Sequence, residues 1–257
     1  MKLWGYESRL NFKNCIFQTI NHLGALYGLT YIDSINDLLA LLFLYKISCT
    51  GITAGLHRLW SHRSYKAKLP TRILLMILSS FANQKSIYAW VKDHRVHHKF
   101  SDTDADPHNI NNGFFYAHMG WLLCKKDKRT IEEGEKLDLS DLDNDPVVMI
   151  DKYLWPYDDL FICYILPSLY TYYYYDNFMK GLFLFGFLRW TIVLQCTNCV
   201  NSVAHWYGDR PFRKNIKPVE NKWVSLLTVG EGWHNWHHTY PYDYACSDEG
   251  IFLRWNP

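Results

Sequence analysis

The sequence carries the pattern H-x-x-H-H twice, as His94, His97 and His98 in HRVHH and as His234, His237 and His238 in HNWHH. On a helix, positions i, i+3 and i+4 share one face, so each copy presents three imidazoles side by side. Three imidazoles on one face either bind a transition metal or need partners in a buried pocket. With His57 and His62 in HRLWSH, eight of the chain's 12 histidines fall into three clusters. Any fold has to accommodate all three. His57 and His62 stand at i and i+5, about 140° apart on a regular helix, and so cannot face one metal side by side there. They are expected to reach two neighbouring metals, or one if the helix ends at that point. The set is too large for one tetrahedral zinc and suits two metals bridged across a bundle. Neutral imidazole serves iron and zinc alike, so ligand type does not choose between them. There is no HExxH pattern and no carboxylate-rich set of paired Glu-x-x-His motifs.

The second constraint is segregation. Most charge lies between Arg58 and Asp159, with apolar blocks on either side. Cys15–Ile32 and Leu38–Leu56 are each near the roughly 20 residues that cross a bilayer core, joined by the short linker Asp33–Asp37. Leu160–Tyr175 and Gly181–Val200 form a second pair around Asp176-Asn177; Pro167 interrupts it and it carries Arg189. The pattern predicts an all-α membrane protein of two transmembrane hairpins, four spans at about 15–32, 38–56, 160–175 and 181–200, in a single domain over 1–257. Lys and Arg in the long polar region favour the cytosolic side, which puts the three histidine clusters and both termini there. Thr71–Phe81 is too short to span and reads as an interfacial or capping helix. Thr130–Pro146 reads as a solvated surface segment. Aromatics make up 17% of the chain, with 19 Tyr and 11 Trp, as expected at a membrane interface.

The net charge of +2 gives no general pull toward nucleic acid. Seven cysteines, an odd number in mostly apolar surroundings, read as reduced thiols. Cys196-x-x-Cys199 has no second pair and sits in an apolar run, so it is not read as a zinc or redox site. No cleavable signal peptide is expected in the polar, mixed-charge stretch Met1–Lys13. The run Asp102–Asp106 imitates the start of an EF-hand, but Pro107 stands where the loop needs Gly and Gly113 where it needs Glu.

HRLWSHRSYKAKLP, DHRVHHKFSDTDADPHN, GFFYAHMGWLL, NSVAHWYGDRPF and GEGWHNWHHTYPYDY, together with HLGALYG at His22–Gly28, resemble the motifs of the membrane acyl-CoA desaturases, the stearoyl-CoA desaturase family. The resemblance runs from about Asn14 to Ser247, in the family's order. It implies an enzyme that inserts a cis double bond into a saturated long-chain acyl-CoA, at delta-9, using O₂. It also implies two Fe²⁺ ions held by His57, His62, His94, His97, His98, His205, His234, His237 and His238, with Asn201 reaching one iron through water. His205 enters by the resemblance alone, since a lone histidine in apolar surroundings is usually a satisfied core residue. His22, His108 and His118 are left as non-ligands.

By the same resemblance Asn14, Lys92, Asp93, Lys125 and Lys126 hold the CoA head. Gln84, Trp90 and Thr197 surround the bend of the acyl tunnel, and Tyr45 and Cys49 its closed end. An unactivated methylene offers nothing for acid–base catalysis, whereas two ferrous ions with O₂ can remove two hydrogens in turn. The chain has no Rossmann glycine fingerprint and no haem attachment motif. The implied electron donor is cytochrome b5 with its NADH-dependent reductase, and the implied location is the endoplasmic reticulum membrane with the active site facing the cytosol.

Several positions depart from the family's pattern. Lys85 replaces an Asn that usually contacts substrate, Asn198 replaces a Trp, and Trp233, Trp236 and Tyr240 are unusual in the last motif. The pattern stops after about Ser247 and IFLRWNP ends the sequence, so the family's C-terminal extension is expected to be missing through truncation, splicing or misprediction. The competing readings are another histidine-rich membrane di-iron oxygenase, a hydroxylase or a desaturase of different regiospecificity, and a catalytically inactive paralogue that binds acyl-CoA.

Overall fold

In the computed structural model the described residues are 2–3, 6–7 and 9–246. The chain end IFLRWNP, and with it the expectation of a missing C-terminal extension, lies outside them. The principal helices are α1 (Phe12–Gly28), α2 (Ile35–Ser61), α3 (Leu69–Ala82), α4 (Ile87–Lys99), α5 (Pro146–Leu154), α6 (Leu166–Tyr175), α7 (Phe178–His205) and α8 (His234–Thr239). A pairing of Lys2–Leu3 with Tyr6–Glu7 adds one small antiparallel ribbon to an otherwise helical chain.

Two helices, α2 and α7, are long and apolar enough to cross a membrane, at 27 and 28 residues. Their sequences explain their starts. Ser34 caps α2 through a reciprocal box with Asp37, and Asn177 accepts the Lys180 N–H at the head of α7. Lys180 then bridges to Asp37 at 2.7 Å and to Asp33 at 3.3 Å, so the two predicted hairpin turns meet at one end of the bundle. Phe12, Ile16, Ile20, Leu23 and Leu26 on α1, and Ile35, Leu39, Leu42 and Phe43 on α2, are exposed. An apolar belt of this kind would be a liability in water and is what a lipid-facing surface requires.

Arg189 organises the centre of the bundle. It is fully buried, and an unpartnered charge there would cost several kcal/mol. All five of its N–H donors are used. They go to Phe185 O, Ser48 Oγ, Phe81 O, Cys163 O and Cys163 Sγ, so one side chain ties α2, the end of α3 and the entry to α6 onto α7. The helix α3 lies close against α2 because Gly51 has no side chain. A Cβ there would meet the Leu78 and Ser79 backbone at 2.3 Å. Its Leu69, Ile73, Leu74 and Ile77 face outward, in keeping with an interfacial element.

The segment read as solvated surface is more tightly held than expected. Leu142 is buried, Asp141 pairs with both Arg63 and Arg95, and Asp145 takes the Trp60 Nε1–H and the Arg72 guanidinium. Its carboxylates brace the histidine-bearing ends of α2 and α4 rather than only facing water.

Candidate metal centre

Within α2, residues Gly51–Ser61 are wound as a π-helix, and the His62 N–H closes an i→i+5 bond to His57 O at 3.0 Å. One turn therefore separates His57 from His62, whose rings meet at 4.7 Å between centroids. The 140° separation calculated for a regular helix does not apply, because the helix is wider there and ends at Ser61, and of the two expected outcomes the rings show the one in which both join one set. The last carbonyls of the wide turns are not left open. Arg95 donates to Trp60 O and Ser61 O and is itself held by Asp141.

Nine histidines then gather in two sets. His57, His62, His94, His98 and His237 form one, and His97, His205, His234 and His238 the other, each with its donor nitrogens within 4.8 Å of one another. α2 supplies His57 and His62, α4 supplies three rings, the end of α7 supplies His205, and α8 supplies three more. Inside the sets, Nε2 faces Nε2: His57 to His237 at 3.0 Å, His62 to His94 at 2.8 Å, His98 to His237 at 3.0 Å, His205 to His234 at 3.0 Å.

Carboxylates outside the sets fix which nitrogen faces in. Asp106 accepts from His97 Nδ1 at 2.9 Å, Asp102 accepts from His205 Nδ1 at 3.1 Å, and Glu231 Oε2 lies 2.9 Å from His57 Nδ1, slightly off a hydrogen-bond line. With the proton held on Nδ1, the inward Nε2 of these rings is a lone pair. His57 and His97 belong to different sets, and each points such a lone pair at other nitrogens. This donor chemistry fits cations between the rings and gives no reason for the arrangement without them.

The electrostatics agree. Burial first, and then the charge of neighbouring histidines, holds His62, His94, His98, His234, His237 and His238 well below the usual imidazole range, in the neutral form a metal needs. His97 moves the other way: burial would lower it, but Asp106 raises it. Burial would likewise raise Glu231, yet His57 and Arg58 hold it below the carboxylate range.

The family model for fatty acid desaturases matches residues 37–245. The chain belongs to the fatty acid desaturase family. It is 50% identical over 248 residues to a sheep (Ovis aries) acyl-CoA desaturase, covering 95% of this chain and 68% of that protein. It is 48% identical over 248 residues to human stearoyl-CoA desaturase, with 95% and 68% covered, and 47% identical over 243 residues to acyl-CoA desaturase 1 of Tachysurus fulvidraco, with 94% and 73% covered.

In this desaturase the residues expected around an acyl chain cluster on the bundle side of the histidines. Trp90 stacks on His94 at 4.9 Å, and Gln84, in the turn between α3 and α4, donates to Thr197 Oγ1 on α7 at 3.0 Å. Tyr45 and Cys49 are buried one turn apart on α2, near Cys196, and the Tyr45 hydroxyl donates to Leu227 O. Asp93 is held by Lys126 and by Lys85, the latter at 2.8 Å, so the residue that departs from the family's Asn joins the expected head-binding group. Asn14 donates to Leu122 O at 3.0 Å, Lys92 is half-buried, and Lys125 is exposed beside them. Asn201 is half-buried on α7, one turn before His205.

The three histidines left aside lie outside the two sets. His22 and His118 share hydrogen bonds with Gln195, and His108 packs on His97 beside Asp106. Three residues received no role from the sequence: Asp102 and Asp106 stood out only as the ends of a run that imitates an EF-hand, and Glu231 did not stand out. A buried ligand imidazole needs an acceptor for its second nitrogen, but only Asp106 lies near its ring in sequence, nine residues after His97; Asp102 serves the distant His205 and Glu231 the distant His57.

Proposed function

We propose that this chain is an O₂-dependent acyl-CoA desaturase that places a cis double bond at delta-9 of a saturated long-chain acyl-CoA, with two Fe²⁺ ions as its cofactor. The observation that carries the reading is the pair of buried histidine sets whose Nε2 atoms face inward while carboxylates hold Nδ1. Nine imidazoles serve iron and zinc alike, but desaturation, for which the relatives are named, needs a redox metal and so favours iron. Bound there, the two irons would supply the oxidising power, drawn from O₂ and electrons arriving singly, that removes hydrogen from an unactivated methylene.

The chain's own residues do the rest. Asp102, Asp106 and Glu231 orient His205, His97 and His57. Trp90 covers His94 on the substrate side, where a flat apolar wall keeps water from the reacting carbons. The Gln84–Thr197 bond fixes the walls where the acyl chain would bend, and Tyr45 and Cys49 close its far end. Lys126, Lys85 and Lys92 around Asp93 offer cations to the CoA phosphates. We read Asn201 as reaching one metal through water.

We further read four spans, with α1 and the helix over 160–175, which includes α6, joining α2 and α7 in the endoplasmic reticulum membrane, and the histidine sets on the cytosolic side. A cleft of about 330 Å³ opens to solvent beside His62 and His98 and is walled by Arg63, Arg95 and Lys99. Its charge suits an acidic one-electron donor, and we assign it to cytochrome b5, reduced by its NADH-dependent reductase. The test is metal analysis of iron-replete, active protein, expected to give about two irons per chain, with His237→Ala losing iron and activity together. Stoichiometric zinc and no iron in active protein would overturn the reading. Expression in desaturase-deficient yeast, with double bonds located by mass spectrometry, tests the position.

A further inference from the structure

A second polar cluster lies away from the histidines, where α5 runs into the helix that leads to α6. Asp151 and Asp159 are each only 2% exposed, and Asp158 is half-buried beside them. Donor oxygens of all three lie within 4.8 Å of one another. We propose that Asp151, Asp158 and Asp159 bind one hard divalent cation.

Several observations carry this. Three carboxylates at such distances in a dry site cannot all stay ionised without a positive charge among them. Among the described residues no Lys or Arg pairs with any of the three, and the charges that act on them are one another's. Lys152, adjacent in sequence, is turned away onto the Tyr88 ring, 3.6 Å from its centroid. One Asp151 oxygen is occupied by the Ile87 N–H at 2.7 Å, and the side chains of Ser80 and Trp155 lie against Asp159.

Asp159 Oδ2 and Asp158 Oδ1 have no hydrogen-bond partner although both are buried. Oxygens within 4.8 Å of one another can all reach one ion, since two calcium–oxygen contacts of roughly 2.3–2.6 Å cover that separation. The donor set contains no nitrogen or sulfur, which selects a hard cation and separates this site from the histidine sets. Because Asp151 also caps the first turn of α4 through Ile87, a cation here would brace the helix that carries His94, His97 and His98.

The experiment uses Ca²⁺ on the iron-loaded, detergent-purified full chain, since calcium has little affinity for imidazole and reports the carboxylates alone. Equilibrium binding should show about one saturable Ca²⁺ per chain, lost in Asp159→Asn with iron content unchanged. Wild-type protein with no saturable Ca²⁺ binding overturns the proposal, as does binding that survives in Asp159→Asn. If Asp159→Asn fails to fold, Asp158→Asn at the half-buried position takes its place, with Ca²⁺ affinity expected to fall at least tenfold. An affinity unchanged in Asp158→Asn also overturns it.

Discussion

Replacing Asp106 by Asn changes one atom and tests the outer carboxylates directly. Asp106 Oδ1 accepts from the His108 N–H at 3.1 Å and Oδ2 from the Asp102 N–H at 2.8 Å, while His97 Nδ1 reaches both oxygens. An amide can keep only one of these acceptors. Whichever way it sits, an NH₂ faces either Asp102 or His108, and the bond to His97 loses its charge. A hydrogen bond to a charged acceptor is worth about 1.5–3 kcal/mol, and altering such outer partners of a metal ligand lowers metal affinity or activity about 10–100-fold. The expected effect is therefore about 2 kcal/mol, a roughly thirtyfold faster loss of one iron to a competing chelator. Asn is isosteric, so folding should survive, as judged by monodisperse elution in detergent. Chelator competition followed by iron absorbance, alongside turnover of an acyl-CoA, measures both consequences. Iron retention and turnover both within twofold of wild type would refute the claim that Asp106 fixes His97.

Three further outcomes are expected. Glycosylation or cysteine tags at Asp33–Asn36 and Asp176–Asn177 should be lumenal, and tags at Met1, Lys125 and Pro257 cytosolic; a glycosylated tag within 130–146 contradicts the arrangement. Cys49→Ala should shift preference from palmitoyl-CoA toward stearoyl-CoA in direct competition, since each buried methylene is worth about 1–3 kcal/mol of discrimination; an unchanged ratio means Cys49 does not set the floor. Burial, and then their own mutual repulsion, pushes Asp151 up to about 7 and Asp159 up to about 8 in the cation-free protein. Acids raised in this way stabilise the fold fully below the ordinary carboxylate range and lose that contribution as pH rises through about 8. In chelator, the melting temperature of wild type should fall more steeply than that of Asp159→Asn between about pH 5 and pH 8.5, and parallel profiles would refute it.

The apolar blocks behind α2 and α7 and the two H-x-x-H-H triplets were readable because each rests on one period repeated locally. His57 and His62 were visible as residues but misplaced in angle, since nothing in GITAGLHRLWS announces that its turns are wide. His205 had no local signature and needed the resemblance. Asp102, Asp106 and Glu231 acquire their role only when a ring packs against them, and Asp151 meets Asp158 and Asp159 only because the chain turns at Trp155-Pro156. The surface reading of Thr130–Pro146 held for most of its residues and was incomplete for a related reason, as Asp141 and Asp145 look solvated until Arg63, Arg72 and Arg95 arrive from elsewhere.

The wide turns of Gly51–Ser61 also set a phase. Upstream on the same helix sit Tyr45 and Cys49, downstream His57 and His62, so the segment relates the floor of the proposed tunnel to the metal site by rotation as well as distance. Losing or gaining one residue before His57 would swing Tyr45 and Cys49 by about a quarter turn about the helix axis relative to the imidazoles. Substitutions along this stretch leave that phase intact, whereas a change in its length does not. Chains of this architecture that accept shorter or longer acyl groups should therefore differ by substitution at positions such as 45 and 49, and not by insertion or deletion between them and His57.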